Sequence, residues 1–414
     1  MGARVKFGAL AVALLVMVFA APPANAQTIE DQQWHLGALD VYAAQAISKG
    51  EGVVVAVVDS GVDRTRPDLA DQLLPGTGFG TAAGTDGTDD QDGHGTAMAT
   101  LIAGRAIDGG ALGVAPKAKI LPISVGADGH RFTTTSVSKG VRWAADHGAK
   151  VVNLSLTTEA TLTPDLLLAV NYAFEKDAVV VAGTGNDGAV HVGAPANIRG
   201  VIAVSGTVQA GTPWPSSNTG PETVLAAPAQ EIVTAVPLSV TPSGYAAVDG
   251  TSASTALVSG VAALVRAKYP SLSAANVVNR LIGSAIDMGA TGRDDVTGFG
   301  LVNPLGALTK DMPNVTSNPL GVPMTTVTPP PPTSTTPKAQ AALPGPRVDD
   351  RTRTLIALGG LLGMAGVVLV ISLLFARKRY APIPHLVEAP MWGPQPQPPY
   401  QPSPPPADDV WRPN

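Results

Sequence analysis

The chain has 414 residues, a formal net charge of −5, 14% charged residues and no cysteine. That balance, with no basic patch before the C-terminal region, excludes a nucleic-acid binder, and the missing cysteines exclude a disulfide scaffold, a thiolate zinc site and a cysteine nucleophile. A hydrophobic fraction of 45% excludes disorder for the main body.

The 45 glycines and 38 prolines are unevenly placed: nine prolines lie between Pro319 and Pro346 and twelve between Pro382 and Pro413. Two Pro-rich stretches therefore stand apart from one Gly- and Ala-rich domain of about 285 residues, long enough for a sizeable core. The N-terminus reads as a secretory signal. Arg4 and Lys6 precede an apolar run from Phe7 to Ala21, and Ala24-Asn25-Ala26 has the shape of a cleavage site. An uncleaved N-terminal anchor is the alternative. Residues 27–52 form a short N-terminal extension opening on Asp31-Gln32-Gln33-Trp34-His35-Leu36.

Within the domain, Val53–Val58, Ile120–Val125, Val151–Leu156, Ala178–Val181 and Val201–Val204 are short β-branched runs that predict buried strands. Helical patterns alternate with them at Thr96–Ala103, Thr134–His147, Asp165–Glu175, Ser254–Tyr269 and Ser273–Ile282. The fold class is α/β, a mostly parallel sheet with helices on both faces. Beyond the domain (53–312) come a Pro/Thr-rich stalk (313–354), a transmembrane helix and a tail. Leu355–Ala376 is 22 residues without a charge, and Arg377-Lys378-Arg379 follows it. A length of about 33 Å as a helix matches a bilayer core. The basic flank puts the Pro-rich tail (377–414) in the cytoplasm and the domain outside. Gly359 and Gly363 offer a small-xxx-small face within the span.

Functional residues of such sheets gather past the carboxyl ends of strands. Asp59 follows the first strand; alone it reads as a turn residue or cap. His94 lies between two glycines ahead of a helix; alone it reads as a surface histidine. Ser252 follows Gly250-Thr251 at the start of an apolar helix; alone it reads as an N-cap. Together they supply what acyl transfer needs: a nucleophile, a base to take its proton, and a carboxylate to hold the base's tautomer. Their order along the chain is Asp, His, Ser.

The segments Val57-Val58-Asp59-Ser60-Gly61, Gly93-His94-Gly95-Thr96 and Gly250-Thr251-Ser252 resemble the three signature segments of the subtilisin-like (S8) serine proteases. Val180 to Gly188 resembles the family's oxyanion-hole loop. The resemblance runs from about Val53 to Ala307 and implies a serine endopeptidase. In it Asp59, His94 and Ser252 form the triad, and Asn186 with the Ser252 N–H forms the oxyanion hole. It also implies that Leu154, Ser155, Leu156 and Gly185 contact a protein or peptide substrate, with Val152–Leu156 as an edge strand pairing with its backbone. Two positions depart from the family pattern. Ala256 stands where the family has Pro, and Thr157 stands where it often has Gly, which would narrow the S1 pocket toward small P1 residues. No cofactor or metal is expected, with a structural Ca²⁺ left open. Asp86, Asp89, Asp90 and Asp92 lack EF-hand spacing and read as a solvated loop. His191 reads as a surface-loop residue, and His35, His130 and His147 have no evident partners. Asp63 and Asp68 read as turn or structural residues.

The layout of signal, short extension with a Gln-Trp segment, protease domain, stalk, single span and tail resembles the mycosins, membrane-anchored proteases of type VII secretion systems. The absence of cysteine departs from those that carry disulfides. The resemblance implies two roles: processing exported proteins, or stabilising the secretion membrane complex with proteolysis secondary. A nutrient-scavenging protease is disfavoured by the anchor.

Overall fold

A computed structural model describes residues 27–126, 132–158, 162–289 and 291–322. The signal peptide, transmembrane span and tail expected from the sequence, and the expected stalk beyond 322, lie outside the described residues, as does His130. Residues 313–322 of that expected stalk are described: Val315 N donates to Asn276 Oδ1 and Asn318 Nδ2 donates to Gly200 O. Among the described residues no helix is long and apolar enough to cross a membrane.

Two short helices, α1 (Trp34–Ala38) and α2 (Val41–Gln45), open the fold. They are followed by β1 (Val54–Asp59), β2 (Thr77–Gly78), α3 (His94–Ala103), β3 (Lys119–Ser124), α4 (Thr134–Asp146), β4 (Val151–Leu154) and α5 (Pro164–Glu175). The second half comprises β5 (Val179–Gly183), β6 (Ile202–Thr207), β7 (Thr223–Pro228), β8 (Ile232–Ala235), β9 (Tyr245–Val248), α6 (Thr251–Lys268), α7 (Ala274–Ser284) and α8 (Pro304–Thr309).

Seven strands form one parallel sheet in the order β2-β3-β1-β4-β5-β6-β7, and β8 and β9 form an antiparallel pair. The near-continuous Val, Ile and Ala content of β1 and β4 to β6 follows from burial on both faces. Helix starts are marked by hydroxyl and amide caps: Thr133, Thr163, Ser273 and Asn303 each accept a backbone N–H of the first turn.

The helices lie on opposite faces. Val57 pairs with Asn153, whose side chain accepts from Ser259 of α6, so that face carries α6. The neighbouring Val58 points the other way, and a Cβ on Gly140 of α4 would lie 2.9 Å from it. β1 sits between β3 and β4, so the chain moves to one side of it and then crosses to the other. The carboxyl ends of β1 and β4 therefore meet at the topological switch point, where α/β sheets bind ligands.

Several differences from the sequence-based elements have simple causes. Val151–Leu156 was expected as a buried strand, and Val152–Leu156 within it, by resemblance, as an edge strand. Its strand part, β4, is instead interior, hydrogen-bonded to β1 and β5, and ends at Leu154. The strands β7 (Thr223–Pro228) and β9 (Tyr245–Val248), Ala-containing runs with little β-branched continuity, and the four-residue β8 were not among the expected strands. Residues 30–50 carry Leu36, Leu39, Val41 and Ala44 into the same core as the sheet.

α6 packs so closely on the loop before β3 that a Cβ at Gly260 would lie 2.6 Å from Val114 Cβ. Gly260→Ala is expected to destabilise by about 1–3 kcal/mol through overpacking. The thermal midpoint should fall by roughly 2–4 °C per kcal/mol; an unchanged midpoint would mean that the Val114 loop yields freely.

Candidate active site

Asp59 ends β1 and is fully buried. Its Oδ1 accepts the Ser60 N–H at 2.8 Å and lies 2.7 Å from His94 Nδ1. Its Oδ2 is buried with no hydrogen-bond partner among the described residues. That carboxylate charge is thus offset chiefly by the imidazole. His94 is the first residue of α3, and Gly93 before it takes φ 94°, a left-handed turn that a side chain would resist. The imidazole keeps 19% of its surface exposed.

Burial alone would depress the His94 pKa. The Asp59 charge and hydrogen bond, with Asp92 and Asp90 nearby, overcome this and raise it from 6.5 to about 9. The ring is a strong proton acceptor held by Nδ1, which leaves Nε2 free to act.

The turn into α3 is built by Asp90. It is 2% exposed, contrary to the expected solvated loop, because the helix start presents N–H groups that need acceptors. Asp90 Oδ1 accepts from Gly93 N at 2.8 Å, and Oδ2 from Thr96 N at 2.9 Å and Thr96 Oγ1 at 2.5 Å. Ser60 Oγ accepts from Gly95 N at 2.8 Å. Burial raises the Asp90 pKa against these hydrogen bonds. Asp86 is exposed and pairs with Arg64 at 2.6 Å. Among the described residues no group of His, Cys, Asp or Glu could hold a metal ion.

Ser252 is the second residue of α6, one place inside the helix rather than its cap. The cap is Gly250, with φ 145°. Ser252 is tied to the end of β4. Its hydroxyl donates to Ser155 O at 3.1 Å, and Ser155 Oγ donates to Ser252 O at 2.9 Å. Asn153, fully buried, donates to Ser155 Oγ at 3.0 Å and accepts from Ser259 at 3.0 Å. Because β4 neighbours β1, this chain of bonds sets the hydroxyl at the same sheet edge as Asp59. Ser252 and His94 are not hydrogen-bonded to each other; such contacts are often loose without substrate.

Asn186 follows β5 on an exposed loop. Its Oδ1 accepts from both Thr251 N and Thr251 Oγ1 at 2.9 Å, which fixes the amide so that Nδ2 faces away from the helix. Neither Asn186 Nδ2 nor the Ser252 N–H has an acceptor among the described residues. A methyl group on Gly250 would lie 3.3 Å from Asn186 Nδ2 and 3.7 Å from Ser252 N, so two free donors border one space that glycine keeps open.

Of the other expected contact residues, Leu154 is fully buried in the core, Ser155 is buried beneath Ser252, and Gly185 is buried at φ 117°. Leu156 and Thr157 border a cavity of about 320 Å³ with Phe132, Val137, Leu166 and Pro195. Thr157 Oγ1 donates to Gly183 O at 2.9 Å, bridging the segments after β4 and at the end of β5. Asp68 is buried and pairs with Arg66 at 3.1 Å. His35 is buried without a hydrogen-bond partner among the described residues, and its pKa is pushed down to about 3 by burial. His147 stacks on Trp143, and His191 is exposed.

The extension residues bind elsewhere. Gln33 Nε2 donates to Leu112 O and Val233 O, and Trp34 Nε1 to Gln230 O and Glu231 O. No hydrogen bond of residues 28–48 reaches Asp59, His94, Asn186 or Ser252. Sequence reasoning missed Asp90, Ser60 and Thr251. The helix start at His94 and the hydroxyls beside Asp59 and Ser252 were the available signals, since first-turn N–H groups need acceptors.

A buried carboxylate, a basic imidazole, a hydroxyl at a helix start and two free N–H donors at one sheet edge can together perform acyl transfer. The subtilase family model, Peptidase_S8, matches residues 50–300. Subtilisin BL from Lederbergia lenta is 38% identical over 255 residues, 61% of this chain and 90% of that protein. Mycosin-1 from Mycolicibacterium smegmatis is 32% identical over 337 residues, 69% of this chain and 74% of that protein. The solved structure of the serine protease MycP1, described as an essential component of the type VII (ESX-1) secretion system, aligns with a TM-score of 0.61. It is 31% identical and covers 69% of this chain and 90% of its own.

The His94–Asp59 pair has a measurable signature. Its folded pKa lies above 6.5, so its contribution to stability is complete below pH 6.5 and is lost as pH rises through about 9. NMR titration of the His94 ring should give a midpoint near 9, and Asp59→Asn should lower it markedly. A midpoint that ignores Asp59→Asn would refute the assigned cause.

Proposed function

The chain belongs to the subtilase family of serine peptidases, and from that premise we propose that Asp59, His94 and Ser252 are its catalytic triad. The observation that carries the proposal is the 2.7 Å contact between His94 Nδ1 and buried Asp59 at the same sheet edge as Ser252. When substrate enters, the Ser252 hydroxyl turns from Ser155 O toward His94 Nε2 and gives up its proton while Oγ attacks the scissile carbonyl. Asp59 holds Nδ1–H and stabilises the imidazolium; His94 then protonates the leaving amine. The carbonyl oxygen, now negative, takes hydrogen bonds from Asn186 Nδ2 and the Ser252 N–H at the positive end of α6. Water repeats the sequence to release the acyl group. No metal or cofactor takes part in these steps.

The substrate is a protein or peptide. Its backbone runs along Ser155–Thr157, the segment past the end of β4. The bridge from Thr157 to Gly183 supports a narrow pocket for the residue before the cut. The enzyme is held to the membrane by 355–376 with its domain outside and its tail inside. Similarity to the mycosins supports processing of proteins exported by a type VII secretion system, in contact with that membrane complex. A role as a structural component of the complex, with proteolysis secondary, is the second reading. It is favoured by the description of MycP1 as an essential component of its system.

The full-length protein should be labelled by a fluorophosphonate probe, and Ser252→Ala should abolish labelling. Absence of labelling in folded wild-type protein would turn the balance to the structural role. Because His94 must be neutral to act, kcat/KM should climb with pH through about 9. A peptide library should be cut after small residues, and Thr157→Gly should admit larger ones; cleavage dominated by large residues in the wild type would sink the narrow-pocket assignment.

A further inference from the structure

Asn186 is exposed, so no packing fixes the direction of its amide. Thr251 holds its oxygen. The backbone that carries it is gripped by a second residue, Asn218, which is 1% exposed and lies in the loop between β6 and β7. The Asn218 N–H donates to Gly185 O at 3.0 Å. Asn218 Oδ1 accepts from Asp187 N at 2.9 Å and Ala189 N at 3.0 Å. Asn186 is therefore bracketed on both sides by bonds to one side chain and its own backbone.

The fit beneath the loop is close. A Cβ at Gly185 would lie 2.3 Å from Asn218 Nδ2, which itself is buried without a partner among the described residues. Asn218 is in turn anchored to the sheet, because Ser217 Oγ accepts from Gly206 N of β6 at 2.7 Å. Neighbouring backbone bonds, Gly188 N to Ser216 O and Thr219 N to Ala189 O at 2.9 Å, run in parallel. A route of hydrogen bonds leads from β6, an interior strand of the sheet, to the loop that aims the amide.

We infer that Asn218 is a positioning residue that sets Asn186 for the transition state. The inference rests on the reading of Asn186 as a donor to the oxyanion. Asn218 touches no reacting atom. Two N–H groups held by its oxygen fix the loop after Asn186, and its own N–H fixes the Gly185 carbonyl before it, so Nδ2 meets the oxyanion without first being reoriented. Preorganisation of this kind acts on kcat rather than on substrate binding.

The test is a double-mutant cycle in the full-length protein, with kcat, KM and the thermal midpoint measured for each variant. Asn186→Ala alone should lower kcat by about 100–1,000-fold. Asn218→Ala should lower kcat by about tenfold or more with KM within about twofold. Added to Asn186→Ala, it should lower kcat no further. An equal loss of kcat in both backgrounds, or a lowered thermal midpoint with kcat unchanged, would reduce Asn218 to a general structural role and overturn the inference. A silent Asn186→Ala would instead overturn the oxyanion reading itself, and the positioning role with it. Should Asn218→Ala fail to fold, Asn218→Ser, whose hydroxyl oxygen sits one bond nearer the backbone and so falls short of the Asp187 and Ala189 N–H groups, carries the same cycle with the same criteria.

Discussion

A carboxylate buried at the end of a central strand, with one oxygen bonded and the other facing no partner among the described residues, is costly unless something takes up its charge. In this fold the imidazole of His94 does so. The requirement runs outward from that pair. β1 must end at the switch point so that Asp59 emerges there. α3 must begin at His94, so its first-turn N–H groups need acceptors, and Asp90 and Ser60 supply them. The negative charges that build the turn also raise the basicity of the ring. Structure and chemistry therefore use the same carboxylates.

A second set of bonds organises the other half of the site. Ser259, Asn153, Ser155 and Ser252 form a buried polar chain between α6 and β4, fully enclosed at Asn153. Its members satisfy one another, which is what makes polar groups tolerable in such a core. The apolar neighbours of Asn153 account for the strand but not for an amide in its middle. Its role is to fix α6 on the sheet so that the Ser252 hydroxyl sits at the strand end. Thr251 then joins the helix to the Asn186 loop, and the two halves meet across Gly250.

Much of this was legible in the chain. The alternation of Val-rich runs with helical patterns gave the parallel α/β sheet, because strands covered on both faces lack polar positions. Asp59, His94 and Ser252 stood out only as a set of polar residues beside glycines at a strand end and at helix starts, in the order Asp, His, Ser, and Asn186 entered only through the resemblance of its loop to that of the subtilisin-like proteases. Other features were not legible. Asp90 lay among four acidic residues in a polar stretch, and only the position of helix N–H groups decides that one of them is buried. Asn218 sits in a Ser-Ser-Asn-Thr loop with no periodicity, and its partners at 185–189 are brought near only by tertiary folding. Val152–Leu156 suggested an edge by resemblance, while the crossover from β3 to β4 places its strand part inside the sheet.

The hydrogen bond from Gln33 to Val233 closes a separation of 200 residues, and that from Trp34 to Gln230 closes 196. Ring closures on that scale cost entropy before any contact returns it, and sheets of distant parallel strands share the cost. Val233 leads through Glu231, whose N–H donates to Asp249, to the cap of α6. The order of synthesis thus separates the first helices from the hairpin they fasten by most of the domain. A chain with this topology folds slowly, and its hydrolytic centre is complete only when distant parts of the polypeptide have met.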